Sequence, residues 1–235
     1  MAAKLATIGF DADDTLWQTE SFFRLTQDRF AALLANDCAP ALLEERLLAA
    51  EKRNLGHYGF GVKGFVLSMI EVAIEVTDGK VPASVIRELI DAGQDMLQHP
   101  IHLLPGAAET VASLAGDYRL VLITKGDLLD QERKLAQSGL GDYFDQVEIV
   151  SHKTPEIYQR IFTALPGGTD AALMVGNSMA SDVLPPLQAG AYGVYVASEL
   201  SWELEHAEPP QNQPRYHSLP DLSGLSDLIT HINRD

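Results

Sequence analysis

Five short apolar runs, each bounded by turn residues, punctuate the chain: Leu5 to Phe10, Leu120 to Thr124, Val147 to Val150, Ala171 to Val175 and Gly193 to Val196. Runs this short and continuous fit strands covered on both faces, and hence a parallel sheet. Helical periodicity fills the intervals at about 106–115, 127–138, 155–164 and 179–189, and a last helix is expected over about 221–232. The alternation predicts an α/β fold with a doubly wound, Rossmann-like parallel sheet. One interval breaks it. Ser21 to Asn36, Pro40 to Arg53, Lys63 to Val76 and Pro82 to Gln98 each read as an amphipathic helix, two of them opened by proline. So long a helical stretch exceeds a crossover. It predicts a helical domain over 17–100 inserted into an α/β core of 1–16 plus 101–235. The insertion follows the carboxyl end of the first strand, where open α/β sheets place their ligands. The polar, proline-rich stretch from Ser198 to Pro220 is expected to be a surface loop.

Composition narrows the partners. With 46% hydrophobic and 21% charged residues over 235 positions, the chain is globular in type. Its 33 Asp and Glu against 17 Lys and Arg give a net charge of −16, which argues against nucleic acid and against an anionic membrane surface. A single cysteine, Cys38, excludes an intrachain disulfide and a cysteine-cluster metal site, and fits a reducing, cytoplasmic location. The apolar run at Met1 to Phe10 is too short for a signal peptide, and no run reaches the length of a membrane span.

The chemistry gathers where the apolar runs end. The first leads into Asp11-Ala12-Asp13-Asp14-Thr15, three carboxylates in four residues that repel one another unless a cation compensates them. A divalent metal such as Mg2+ prefers such oxygen ligands. The second run ends in Thr124, followed by Lys125-Gly126-Asp127, a hydroxyl and free amides suited to an anionic oxygen. The third leads to Lys153, just before a helix start set by Pro155, and the fourth to Gly176-Asn177-Ser178 and then Asp182.

In that order, Asp11-x-Asp13-x-Thr15, Thr124, Lys153 and the Gly176-Asn177-Ser178…Asp182 run resemble the four motifs of the haloacid dehalogenase-like hydrolases. The resemblance covers nearly the whole chain. It includes a helical cap inserted after the first motif, as in the C1-capped, phosphoglycolate phosphatase-like subgroup, and Leu104-Pro105-Gly106 resembles the return from cap to core. It implies phosphoryl transfer on a small phosphorylated metabolite; a monomer or a homodimer is expected. Asp11 would be the nucleophile and Asp13 the proton donor and acceptor. Thr124 and the amide of Lys125 would bind phosphoryl oxygens, with Lys153 neutralising charge and holding Asp11. Mg2+ would be held by Asp11, the carbonyl of Asp13, Asn177 and Asp182. A carboxyl at position 13 suits an alkoxide leaving group, which needs a proton, and disfavours dehalogenation, whose halide does not. Many family members carry aspartate where this chain has Asn177; an amide oxygen can still ligate Mg2+ but brings no charge.

Other patterns compete less well. Gly59-x-Gly61-x-x-Gly64 matches a dinucleotide fingerprint but follows a helical stretch, so a flexible loop is expected there. Tyr58 and Lys63 beside it are candidates for reading the leaving group. Gly176-Asn177-Ser178-Met179-Ala180 resembles a nucleophile elbow, with His217 or His231 and Asp221 or Asp227 as partners, but that serine-hydrolase reading leaves Asp11, Asp13 and Lys153 idle. A phosphotransferase or phosphomutase, and a non-catalytic binding module, remain the alternatives to a phosphatase. The seven histidines show no His-Glu-x-x-His spacing, which disfavours zinc.

Overall fold

The structure, a computed structural model, describes residues 4–198, 200 and 202–234. In chain order, β1 (Thr7–Phe10) leads into four helices, α1 (Glu20–Leu33), α2 (Pro40–Tyr58), α3 (Val62–Val76) and α4 (Ala83–Gln98). There follow α5 (Ala107–Leu114), β2 (Arg119–Lys125), α6 (Leu128–Ser138), β3 (Gln146–Val150), α7 (Pro155–Thr163) and β4 (Ala172–Gly176). The chain ends through α8 (Leu184–Gln188), β5 (Tyr192–Val196), β6 (Tyr216–Leu219) and α9 (Leu225–Ile232). Two compact units result. One comprises residues 1–20, 101–125 and 131–235, the other 21–100 and 126–130.

The α/β unit is built on one sheet in the order β3-β2-β1-β4-β5-β6, parallel throughout. Strand residues alternate between two apolar layers, as the two-residue period of a strand requires. Ile8, Phe10, Leu120, Leu122, Leu173 and Val175 pack with Val111 of α5 and Ile229 of α9. Val121, Ile123 and Met174 pack with Tyr158, Ile161 and Phe162 of α7 on the other side. Gly9 sits in this second layer, where a Cβ would come within 2.9 Å of Met174 Sδ and 3.3 Å of Phe162, so its lack of a side chain lets α7 lie close.

Several details depart from the sequence reading. β6 falls inside the stretch read as a surface loop. Tyr-His-Ser-Leu has no continuous apolar run, because an edge strand paired only with β5 is half solvated. β3, the other edge, leaves Val147 40% exposed and so is not covered on both faces. The helix read over 179–189 is a wide turn, closed by Leu184 N on Met179 O, followed by the short α8. Pro185 and Pro186 have no N–H to extend a helix backwards, and stand in its first turn, where none is needed.

The helical unit has its own core, with Phe30, Leu43 and Leu47 packed on Phe65, Met69, Val72 and Leu89. Within it, Asn54 donates to Ser68 Oγ at 3.1 Å and Glu71 at 2.8 Å, while Tyr58 donates to Glu71 at 3.0 Å. α2 runs past the expected Arg53 to Tyr58. Gly59 and Gly61, at φ 71° and 117°, turn the chain, but Gly64 lies inside α3 and not in the expected loop. Among the described residues no helix is long and apolar enough to cross a membrane.

Candidate active site

Parallel strands deliver their following residues to one edge of the sheet, and the four expected strand ends meet there. Asp11 still pairs with β4 through its amide, which donates to Val175 O at 2.9 Å. Its carboxylate takes Lys153 Nζ at 2.5 Å on one oxygen and Thr15 Oγ1 at 2.9 Å on the other. Lys153 also reaches Asp182 at 2.6 Å, and the second oxygen of Asp182 accepts the amide of Ser178 at 3.0 Å. The side chains of Lys153 and Asp182 are each only 1% exposed. Burial alone would depress Lys153; Asp11 and Asp182 more than offset that and raise its pKa, so it stays charged. Asp182 is pushed up, by burial first and by the charge of Asp11. Gly176 makes this packing possible, since a Cβ there would lie 2.4 Å from the Asp182 carboxyl.

Asp13 has a separate cradle. Lys134 Nζ donates to both its oxygens at 2.7 and 2.8 Å, Trp17 Nε1 and Thr19 Oγ1 to one at 2.8 Å each, and Gln131 Nε2 to the other at 3.0 Å. Burial pushes the Asp13 pKa up, but the charge of Lys134 and these donors outweigh it and hold it below the ordinary value. Gln131 Nε2 also reaches Thr124 Oγ1 and Lys125 O, each at 2.6 Å, which ties the first strand end to the second. Asp14 has a different task. At φ 58° it turns its carboxylate onto the amides of Thr19 and Glu20 at 2.9 Å, capping the chain as α1 begins, and burial pushes its pKa up to about 7.

The Asn177 amide bears on the metal expectation. One end of it lies 3.2 Å from Asp11 Oδ2, from Thr15 Oγ1 and from the carbonyl of Asp13. With nitrogen there it donates to all three; with oxygen there, three oxygens from Asp11, Asp13 and Asn177 converge as a hard cation requires. No group of three or more His, Cys, Asp or Glu side chains is arranged as a metal site among the described residues. A cation would therefore rely on the carbonyl and the amide as much as on carboxylates. The donor set fits Mg2+.

Asp11, Asp13, Thr124, Lys125, Lys153, Asn177 and Asp182 are thus linked at one edge. The sequence reading missed Gln131, Lys134 and Glu205. In α6, Leu128 and Leu129 are 61% and 73% exposed while Gln131 and Lys134 are buried, the reverse of an ordinary amphipathic helix, so hydrophobic periodicity points away from the first two. The elbow reading finds no support at Ser178, whose hydroxyl donates to Glu205 and accepts the amide of Ser181. Tyr58 and Lys63 are held by Glu71 and Asp127 within the helical unit.

These four strand ends are the frame of one hydrolase family. The family profile described as haloacid dehalogenase-like hydrolase matches residues 5–190, and the chain belongs to that family. A solved haloacid dehalogenase-like family hydrolase from Xanthomonas campestris is 38% identical, covering 99% of this chain and 96% of its own, with a TM-score of 0.87. The glyceraldehyde 3-phosphate phosphatase of Methanothermobacter thermautotrophicus is 24% identical over 96% of this chain and 100% of its own. The pyrimidine 5'-nucleotidase YjjG of Escherichia coli is 24% identical over 94% of this chain and 96% of its own.

Proposed function

We propose that this hydrolase is a Mg2+-dependent phosphatase that cleaves a small phosphomonoester through an aspartyl-phosphate on Asp11. The observation that carries the reading is the buried Asp11–Lys153–Asp182 cluster with a second, separately held carboxylate at Asp13. Lys153 pairs with Asp11 at 2.5 Å and orients it, as a carboxylate nucleophile must be held. An oxygen of Asp11 forms a bond to phosphorus while the bond to the ester oxygen breaks, and that oxygen takes, by way of Asp13, the proton that the phosphomonoester brings as its monoanion. Water then attacks the phosphorus, its proton passes to Asp13, and Asp11 leaves as carboxylate. Thr124 and the amide of Lys125 hold phosphoryl oxygens, and Lys153 offsets the developing charge. Asp11, the Asp13 carbonyl, Asn177 and Asp182 would hold Mg2+, which when bound would neutralise phosphoryl charge. The helices inserted within 17–100 serve as the cap that selects the leaving group. That both curated relatives are named for phosphorylated substrates supports this class.

The test is release of inorganic phosphate from sugar phosphates, triose phosphates, nucleoside monophosphates and phosphoglycolate, with and without Mg2+, by wild type and Asp11→Asn. Turnover that needs Mg2+ and vanishes in the variant is the expected result. Equal inertness of both proteins, or equal activity in Asp11→Asn, would sink the reading. Transfer of the phosphoryl group to an added sugar in preference to water would make the enzyme a phosphotransferase.

A further inference from the structure

Glu205 lies outside the four motifs, on a one-turn helix (Glu203–Glu205) in the stretch between β5 and β6, yet its side chain is only 16% exposed. One carboxylate oxygen takes the ammonium of Lys125; the other takes Ser181 Oγ at 2.6 Å and Ser178 Oγ. Lys125 Nζ also donates to Ser181 Oγ at 2.8 Å, so its charge is drawn toward the Gly176–Asp182 turn. Lys125 is the residue whose main-chain amide follows Thr124 at the second strand end. An uncompensated ammonium there, itself only 13% exposed, would add a full positive charge beside any bound anion.

We propose that Glu205 is a positioning residue that sequesters the Lys125 ammonium and so limits the affinity of the site for phosphate, which lets the product leave. The inference rests on the phosphatase reading for the identity of the anion. Its physical logic is that an extra charge binds phosphate in substrate and product alike, lowering KM without speeding the chemical step. Holding Lys125 on a carboxylate leaves Thr124, main-chain amides and Lys153 to bind the phosphoryl group.

The probe is inorganic phosphate, titrated calorimetrically into the full chain with Mg2+ present, alongside steady-state kinetics and thermal melts. Glu205→Gln keeps the shape and an acceptor for the serines but releases Lys125; phosphate is expected to bind about threefold to tenfold tighter, with KM falling in step and kcat not rising. The double variant Lys125→Met with Glu205→Gln should return phosphate affinity to within about twofold of wild type. Ser181→Ala removes a hydroxyl but no charge, and should leave the affinity unchanged. Unaltered or weaker phosphate binding in Glu205→Gln, or the same change in Ser181→Ala, would overturn the inference while wild type still binds phosphate. Should Glu205→Gln not fold, Glu205→Asp must show tightening, since its shorter reach loosens the hold on Lys125; unchanged affinity there overturns the inference equally. Wild type that neither binds phosphate nor releases it from any phosphomonoester would overturn the phosphatase reading, and this inference with it; turnover without measurable phosphate binding in wild type or in Glu205→Gln would overturn the inference alone.

Discussion

Lys153 and Arg53 each hold two carboxylates, one in each unit of the molecule. Around Lys153 the partners Asp11 and Asp182 stand at 2.5 and 2.6 Å, and all three side chains are at most 9% exposed. Around Arg53 the partners Glu71 and Glu75 stand at 3.3 Å, and exposure runs from 33% to 52%. Water can replace any partner in the second cluster and none in the first. The buried cluster therefore exists only as a set, since burying a charge alone costs several kcal/mol, whereas exposed pairs contribute little. The Lys153 cluster is arranged for chemistry at some cost to stability; the Arg53 cluster decorates an apolar core.

The sharpest way to break this contrast is Lys153→Met. Phosphate release should fall about 10²- to 10³-fold, and urea unfolding should show a loss of about 3–5 kcal/mol, because Asp11 and Asp182 are left buried and unpaired. A variant that keeps its stability would show that water reaches the cluster. Lys134→Met comes next. Asp13 would keep Trp17, Thr19 and Gln131 as donors, so kcat should drop by about tenfold to a hundredfold, with a stability loss of about 1–3 kcal/mol.

In the helical unit Asn54→Ala should cost about 1–2 kcal/mol by leaving the buried Ser68 short of a partner, while kcat is unchanged. The Asn54 amide is also the leading cause that holds the Glu71 carboxyl below its ordinary value of 4.5. A lowered folded-state pKa gives stability that is present above 4.5 and lost as pH falls, so Asn54→Ala should flatten the acid limb of the stability curve. Smallest is Arg53→Ala, at under about 1 kcal/mol and vanishing as salt is raised. A larger effect, insensitive to salt, would erase the distinction between the two clusters.

What the sequence made legible follows the same division. The strands at the centre of the sheet, β1, β2 and β4, are apolar runs because both faces are covered, and their ends carried the motif residues. Edge strand β6 was illegible because one face and one edge meet water, so Tyr216 to Leu219 mixes polar with apolar residues. Asp11, Lys153 and Asp182 could be found by position along the chain, since each stands just past a strand. Gln131, Lys134 and Glu205 could not, because they reach the site from a helix face and a distant turn. The inverted burial of α6 hid the first two, because periodicity assigns the polar face of a helix to solvent. For Glu205 no local pattern distinguishes it from its neighbour Glu203. The role of Asp14 is not written in the sequence either, since only its φ and its amide partners separate a helix cap from a third site carboxylate.

The sheet order has a consequence for how the chain reaches its fold. β1 is made first and lies near the middle of the sheet, yet Thr7 pairs with Arg119 on one side and Ala172 on the other. Loop closures of that span are slow compared with local helix pairing. During synthesis β1 must wait, apolar and without neighbours, until more than a hundred residues have followed it, while the contacts within residues 21–100 are local enough to form in the interval. The inserted helices thus postpone both pairings of β1, and the segment from β2 to β4 separates the first of them from the second. Residues 7–10 are accordingly open to misassociation and to chaperone capture on the nascent chain until those partners emerge.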